Sequence, residues 1–548
     1  MTVSIGGHLV AHALAKEGVR CVFTLCGGHV APIYDGCLRE NIDIVDTRHE
    51  QAATHAADAW ARLTRGPGVT IVTAGPGVTD AVTGVANARL ANSPLVVLGG
   101  AAELRLAGRG ALQEMEQVPL MRTVTKWAQT VTDPRRLPEM VQTAIRHAVS
   151  GVPGPVFLEL PFDVLTAQVE SPIEPEPLAP QPRSPGDRDE VERAAELIAK
   201  AERPVLFVGS QIWWDDAATS LRALVGALSI PTVMNGMGRG ALPASNPHAL
   251  NLARKLAFRS TDLLIVVGTP LDFRVGYGAG INQDAKIIQI DRDPAQIGKN
   301  RRADVGIVGD ARSILAQLEA AATRLGARPE RFAPWAETLR AGEDKQRREL
   351  AGYEQSNERP INHYRLARAI ADSIDEDTIV IGDGGDCVAL AAKVLAPERP
   401  GHWLDPGPLG CLGVGAPFAL AAKKLYPEKK VLVLSGDGSF GLNGFDFETC
   451  VRLKLPVTVV VANDAAWGQI RGPQIMIFGA ERAPATKLAP TRYDRVVEAF
   501  GGRGHHIEDP AQLVPVLKGA LASDQVTCIN VAIDPDFVLR TGGSKLSV

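Results

Sequence analysis

An α/β protein built from three doubly wound parallel-sheet domains is expected from the sequence, on three observations. A recurring unit runs along the chain: a short apolar run, a Gly-rich turn, then a helical pattern. The runs after Gly68, Pro94, Pro155, Pro204, Asp262, Lys286, Thr378, Lys430, Pro456 and Thr527 are rich in Val, Ile and Leu and do not alternate with polar residues. Such runs suit strands covered on both faces, hence parallel sheets with helices on each side. About ten of these units are too many for one sheet of ordinary size. Two stretches that break the rhythm then divide the chain.

The first part spans residues 1–168. Residues 169–189 form a linker; Glu170–Arg188 holds six prolines and no apolar periodicity, which reads as extended, semi-rigid chain. The central part, 190–325, has a dinucleotide-fold texture but no GxGxxG, so NAD is not indicated. Residues 326–359 read as a second linker, whose charge run from Gly342 to Leu350 fits a solvated helix. The third part covers 360–535. The tail, 536–548, is Gly-rich and carries Arg540 and Lys545; a lid and a frayed terminus are both open readings.

Composition narrows the function. The chain has 548 residues, with 58 basic against 62 acidic and a net charge of −4. Such a chain has no bulk electrostatic reason to bind nucleic acid or an anionic membrane. No apolar run reaches the ~18 residues of a membrane span. The N-terminus lacks a basic segment followed by an apolar core, and the seven cysteines form no CxxC. A reduced, cytoplasmic setting is the expectation.

Chemistry concentrates in Val431–Trp467. A buried strand runs into Gly436, Asp437, Gly438 and Ser439, and a second buried strand ends at Asn463-Asp464. Asp437 and Asp464, 27 positions apart, are expected at the C-terminal ends of neighbouring parallel strands, where open α/β sheets bind ligands. Gly438 lets main-chain N–H groups approach a phosphate, and two hard oxygen ligands beside it suit Mg²⁺. A second GDG, Gly382-Asp383-Gly384, serves as a control: 27 positions beyond Asp383 stands Gly410, which has no side chain to offer a metal. In the first part, Glu50 stands at a strand-to-helix junction, before a helix rich in alanine. Taken alone it reads as a helix N-terminal charge.

The GDG-to-Asp464 spacing resembles the diphosphate motif of thiamine diphosphate (ThDP) enzymes, and the resemblance extends over nearly the whole chain. It implies a pyrimidine-binding first domain, a central domain and a diphosphate-binding third domain. The metal ligands would be Asp437, Asp464 and the main-chain oxygen of Ala466. Glu50 would be the carboxyl that activates the cofactor through its pyrimidine ring. Gly28, Pro76, Gly410, Leu412, Gly436, Gly438, Ser439 and Trp467 would surround the cofactor, Leu412 as the apolar wedge that bends it. The family's usual Asn-Asn is Asn463-Asp464 here. Because pyrimidine and diphosphate are held by different subunits, the resemblance implies a homodimer or homotetramer with shared sites.

Among these enzymes the chain looks most similar to the acetolactate-synthase-like 2-hydroxyacyl-CoA lyases. Phe23–His29, Asp46–Glu50, Thr73–Gly77, Arg109–Gln113, Trp403–Gly407 and Ala462–Trp467 carry that likeness. His29 and Gln113 would be the catalytic partners of Glu50. The implied reaction cleaves a 2-hydroxyacyl-CoA to formyl-CoA and an aldehyde or ketone, or runs in reverse as a carboligation. Small-molecule substrates, acyl-CoA among them, are thus the expected partners, with Arg540 and Lys545 as candidate coenzyme A contacts. Two relatives remain alternatives: an acetolactate synthase acting on 2-oxoacids and a benzaldehyde lyase cleaving acyloins. The segment after Trp467 departs from the Met-rich pattern of the synthases. A non-catalytic binding subunit is a remote alternative, since such chains typically lose the acid or the metal pair. Relatives carry ADP, FAD or nothing in the central domain, where Asp291 ends a strand and is a candidate ribose contact.

Overall fold

The structure is a computed structural model and describes residues 4–170 and 176–541. Three parallel sheets organise it. The first has strand order Asp43–Asp46, Cys21–Thr24, Gly68–Val72, Leu95–Ala101, Val156–Pro161, Trp127–Thr130. The central sheet orders Thr232–Met234, Pro204–Val208, Leu263–Val267, Lys286–Asp291, Val305–Val308. The third runs Trp403–Leu404, Ile379–Asp383, Val431–Gly436, Thr458–Asn463, Thr527–Ala532, Arg503–Ile507. Strands such as Leu263–Val267 are buried along their whole length, as their unbroken apolar sequence requires. One feature was not anticipated: Ser4–Ile5 pairs antiparallel with Gln168–Val169, tying the two ends of the first domain together.

The first and third domains share a core. Helix Glu50–Thr64 packs on helix Gly415–Leu425, and Ala53, Ala56 and Ala57 meet Phe418, Ala419 and Ala422 in one apolar cluster. Small side chains let the two helices approach closely. A buried ion pair sits in this contact. Arg62 donates to Asp58 at 2.8 and 2.7 Å and reaches the Asp405 carbonyl at 2.7 Å.

The stretches read as linkers are more firmly held than their composition implies. Leu178 N–H donates to Glu17 at 3.1 Å, and Arg183 pairs with Asp310 at 2.8 Å. Within 326–359 a helix forms, Pro329–Glu354; its charge run Asp344–Glu349 is exposed as expected, but one face of its first half is buried. Phe332, Trp335 and Leu339 are buried in the central-domain clusters, and Trp335 donates its indole N–H to the Pro204 carbonyl. The central unit therefore continues through this helix, because three large apolar residues outweigh the neighbouring charge. Among the described residues no helix is long and apolar enough to cross a membrane.

Candidate active site

Asp437 and Asp464 leave the same edge of the third sheet, since Gly436 stands in register with Ala462 on the adjacent strand. Both line a cavity of about 110 Å³ together with Gly438, Ser439, Trp467 and Leu412. Asp437 is 2% exposed; its Oδ1 accepts the Gly438 N–H at 2.9 Å, and its Oδ2 has no partner among the described residues. Asp464 Oδ1 accepts the Ala466 N–H at 3.1 Å. Burial raises the pKa of both carboxyls, and the neighbouring Asp437 raises that of Asp464 further. Two desolvated carboxyls with an unused oxygen between them suit a hard divalent cation. Among the described residues no group of three or more metal-ligating side chains occurs. A cation held by these two carboxylates would take its remaining ligands from main-chain oxygen, phosphate and water, a set that suits Mg²⁺.

Local geometry explains the surrounding residues. Asn463 donates to the Thr491 carbonyl and to Asn530, so it builds the turn, while Asp464 faces the cavity. Ala465 takes φ +51°, which turns the chain so that Ala466 also lines the cavity. The Trp467 ring lies over Gly438, where a Cβ would come within 2.4 Å of it. Gly436 lines the same wall.

The control motif proves informative in another way. Asp383 binds no second acid; its buried carboxyl accepts N–H bonds from Gly413 at 3.0 Å and Gly415 at 2.8 Å. Asn443 holds the Gly413 carbonyl from the other side at 2.8 Å. The two clamps fix the loop that carries Gly410 and Leu412, and Leu412 reaches the Asp437 cavity whereas Gly410 is exposed at φ +67°. Sequence reading missed this role, although a buried Asp before a Gly-rich loop is its signature. It also missed Asp386, whose Oδ2 has no partner among the described residues and whose pKa burial pushes up to about 6 in the same cavity.

The first domain builds a separate surface. Glu50 opens helix Glu50–Thr64, is 6% exposed, and has its pKa raised by burial. Gly77 leaves room for it: a Cβ there would lie 3.4 Å from Glu50 Oε1 and 2.9 Å from Thr73. Thr73 Oγ1 lies 3.2 Å from His29 Nδ1, and the His29 ring meets Phe162 edge to face. Burial lowers the His29 pKa. Gly28, beside it, is exposed. Pro76 begins helix Pro76–Leu90, and the preceding Gly75 packs on the main chain of Gln113, itself at φ +62°. His29, Glu50 and Gln113 thus all abut the Thr73–Gly77 segment that carries Pro76, and Gln113 lines a further cavity with Gln117 and Glu159. The segment is held by a residue the sequence did not reveal. Buried Gln117 accepts the Gly75 N–H at 2.7 Å and donates to the Gly100 carbonyl and to Glu159.

The Asp437 cavity is lined wholly by third-domain residues, and Glu50 is not among them. Asp291 lies elsewhere, in a cavity of about 750 Å³ at the contact of the first and central domains, beside Asn235, Arg292 and Lys299. Burial raises its pKa to about 6. Arg540 is already paired with Asp534, and its helix Phe537–Thr541 seats Phe537 on Tyr353, His363 and Tyr364. Lys545 lies outside the described residues.

Comparison with known proteins agrees with this layout. Residues 5–120, 191–318 and 383–531 match, in turn, the N-terminal TPP binding domain, the central domain and the C-terminal TPP binding domain of thiamine pyrophosphate enzymes. The acetolactate synthase large subunit of Mycobacterium tuberculosis is 38% identical, with 96% of each chain covered. The 2-hydroxyacyl-CoA lyase 2 of Danio rerio is 39% identical over 94% of this chain and 89% of its own. Its Homo sapiens counterpart is 36% identical over 95% and 88%. The three matched domains and the relatedness along almost the entire length make this chain a member of the thiamine pyrophosphate enzymes, a C–C lyase or carboligase dependent on that cofactor.

Proposed function

We propose that the protein is a 2-hydroxyacyl-CoA lyase, splitting a 2-hydroxyacyl-CoA into formyl-CoA and an aldehyde or ketone and running in reverse as a carboligase. The observation that carries this reading is His29, held against Thr73 in the segment that Glu50 and Gln113 also abut. Burial lowers its pKa, favouring the neutral imidazole, and Nδ1 lies against Thr73 Oγ1. The imidazole would take the proton of a substrate hydroxyl while the C1–C2 bond breaks. That proton balance ends with a hydrogen on the formyl carbon and a carbonyl where the hydroxyl stood. Gln113 supplies an amide to orient the substrate oxygen.

Bound ThDP supplies a carbon nucleophile and an electron sink. Asp437, Asp464 and the Ala466 carbonyl would hold its Mg²⁺, Gly438 and Ser439 its diphosphate, and Leu412 its bent shape. Glu50 would hold the pyrimidine through a carboxyl whose raised pKa lets it share a proton. Because Glu50 stands outside the Asp437 cavity, completion of the site by a second copy is part of the proposal. The exposed Leu409, Leu442 and Phe445 support it as apolar surface in need of cover. The central cavity is proposed to take ADP or FAD against Asp291. Arg540 and Lys545 belong to the coenzyme A proposal, which for Arg540 requires release from Asp534.

A second reading, decarboxylating carboligation of 2-oxoacids, is favoured by the name of the mycobacterial relative. Parallel assays with pyruvate, benzoin and a 2-hydroxyacyl-CoA, read by mass detection, separate them. Formyl-CoA from the thioester is expected. Acetolactate from pyruvate, with no formyl-CoA, overturns the proposal.

A further inference from the structure

A cavity of about 340 Å³ lies between the central and third domains, and neither Asp437, Asp464, Glu50 nor His29 lines it. Leu242 bounds it from the central side, and Val394, Leu395 and Trp403 from the third domain. The two domains interlock at its rim: Gly240, at φ +82°, leaves no room for a side chain, since a Cβ would stand 2.3 Å from the Arg399 carbonyl.

Arg239 projects into this wall. Its guanidinium donates once, to the Ala392 carbonyl at 3.0 Å, and lies over the Trp403 ring at 5.3 Å. Among the described residues no carboxylate forms an ion pair with it; Asp405 attracts it from farther off but already accepts from the Trp403 indole and the Gly407 N–H, and burial pulls the Arg239 pKa below the ordinary arginine value. The acids around the cavity are already engaged. Glu343 accepts the Ala253 N–H and faces Arg347, Asp375 is held by Lys430, Glu376 by Arg399, and Glu398 accepts the Ala244 N–H. Arg239 is half-buried, and its remaining guanidinium N–H groups are left for an acceptor that enters the cavity.

We propose that this cavity binds a small organic carboxylate, with Arg239 gripping the carboxylate and the Leu242, Val394 and Leu395 wall covering an apolar body. The planar fork of arginine matches a carboxylate in two-point contact. A volume of this size lies in the range of small-molecule sites. The site also touches the cofactor machinery. Ala392 caps helix Asp386–Ala391, whose first residues, Asp386 and Cys387, line the Asp437 cavity.

The test uses full-length enzyme loaded with ThDP and Mg²⁺, so that the active site is filled. The probe is 4-methylpentanoate, which lacks the 2-oxo and 2-hydroxy groups of substrates. A saturable rise in the thermal midpoint is expected, with none from the neutral 4-methylpentanamide. Arg239→Gln is expected to weaken binding at least tenfold. Ala371→Phe, which fills the cavity from a wall formed by helix His363–Ala371, is expected to do the same and decides the matter if Arg239→Gln does not fold. No saturable response in the wild type, equal binding of the amide, tighter binding of inorganic phosphate, or unchanged affinity in a folded variant overturns the proposal.

Discussion

Gly468 lies directly against the Asp464 carboxylate: a Cβ at position 468 would stand 2.5 Å from Oδ2. That contact makes the glycine part of the proposed cation site. Gly468→Ala must push the carboxylate aside. We expect it to fold normally and to lose about 10–100-fold in Mg²⁺ and ThDP affinity, the range seen when support of a metal ligand is disturbed. Calorimetric titration checks this; unchanged affinity shows that Asp464 is free to move.

His29→Ala tests the proton-handling role. A positioned acid–base group contributes about 10²–10⁴-fold, so kcat should fall by about that factor. ThDP affinity should stay as it was, because His29 contacts Thr73 rather than the Asp437 cavity. A fall in cofactor affinity with kcat retained would assign His29 to binding instead.

Asp291 gives a pH dependence with a definite sign. Its folded-state pKa is raised to about 6 by burial, from an ordinary value near 3.8. A raised pKa means that the stabilising contribution is present below the unfolded value and is lost as pH rises through about 6. Asp291→Asn keeps the bond accepted from the Asp293 N–H at 2.9 Å and cannot ionise. Without added nucleotide, the variant should match wild type near pH 4 and exceed it by about 1–3 kcal/mol at pH 7, measured by urea unfolding. A gap that does not change with pH contradicts the assignment.

Arg62 and Asp58 form a pair that is 1% and 0% exposed. Removing one partner strands the other in the shared core, at a cost of about 3–5 kcal/mol. Arg62→Met should therefore lower stability by about that amount in denaturant titration. It should also loosen the Asp405–Gly407 turn, seen as faster hydrogen exchange there. A loss below about 1 kcal/mol would mean that water reaches Asp58.

The parts legible in the sequence are those set by local pattern. Unbroken runs such as Val431–Ser435 can only be strands covered on both faces, and the spacing of Asp437 and Asp464 follows from two adjacent strands. The parts that escaped depend on contacts distant in sequence. Gln117 looks like any surface glutamine until it meets Gly75, Gly100 and Glu159. Asp383 reads as a spare GDG until its carboxyl is seen on Gly413 and Gly415. In helix Pro329–Glu354 the charge run marks the exposed half, whereas the burial of Phe332, Trp335 and Leu339 depends on a central domain that composition cannot show.

The most direct measurement is deuterium exchange at C2 of bound ThDP in Glu50→Gln, followed together with turnover of a 2-hydroxyacyl-CoA. The buried carboxyl is held to prime the pyrimidine ring, so exchange and turnover should both fall by at least about 10²-fold while Mg²⁺ still binds. Exchange and turnover at wild-type rates would contradict that role for Glu50.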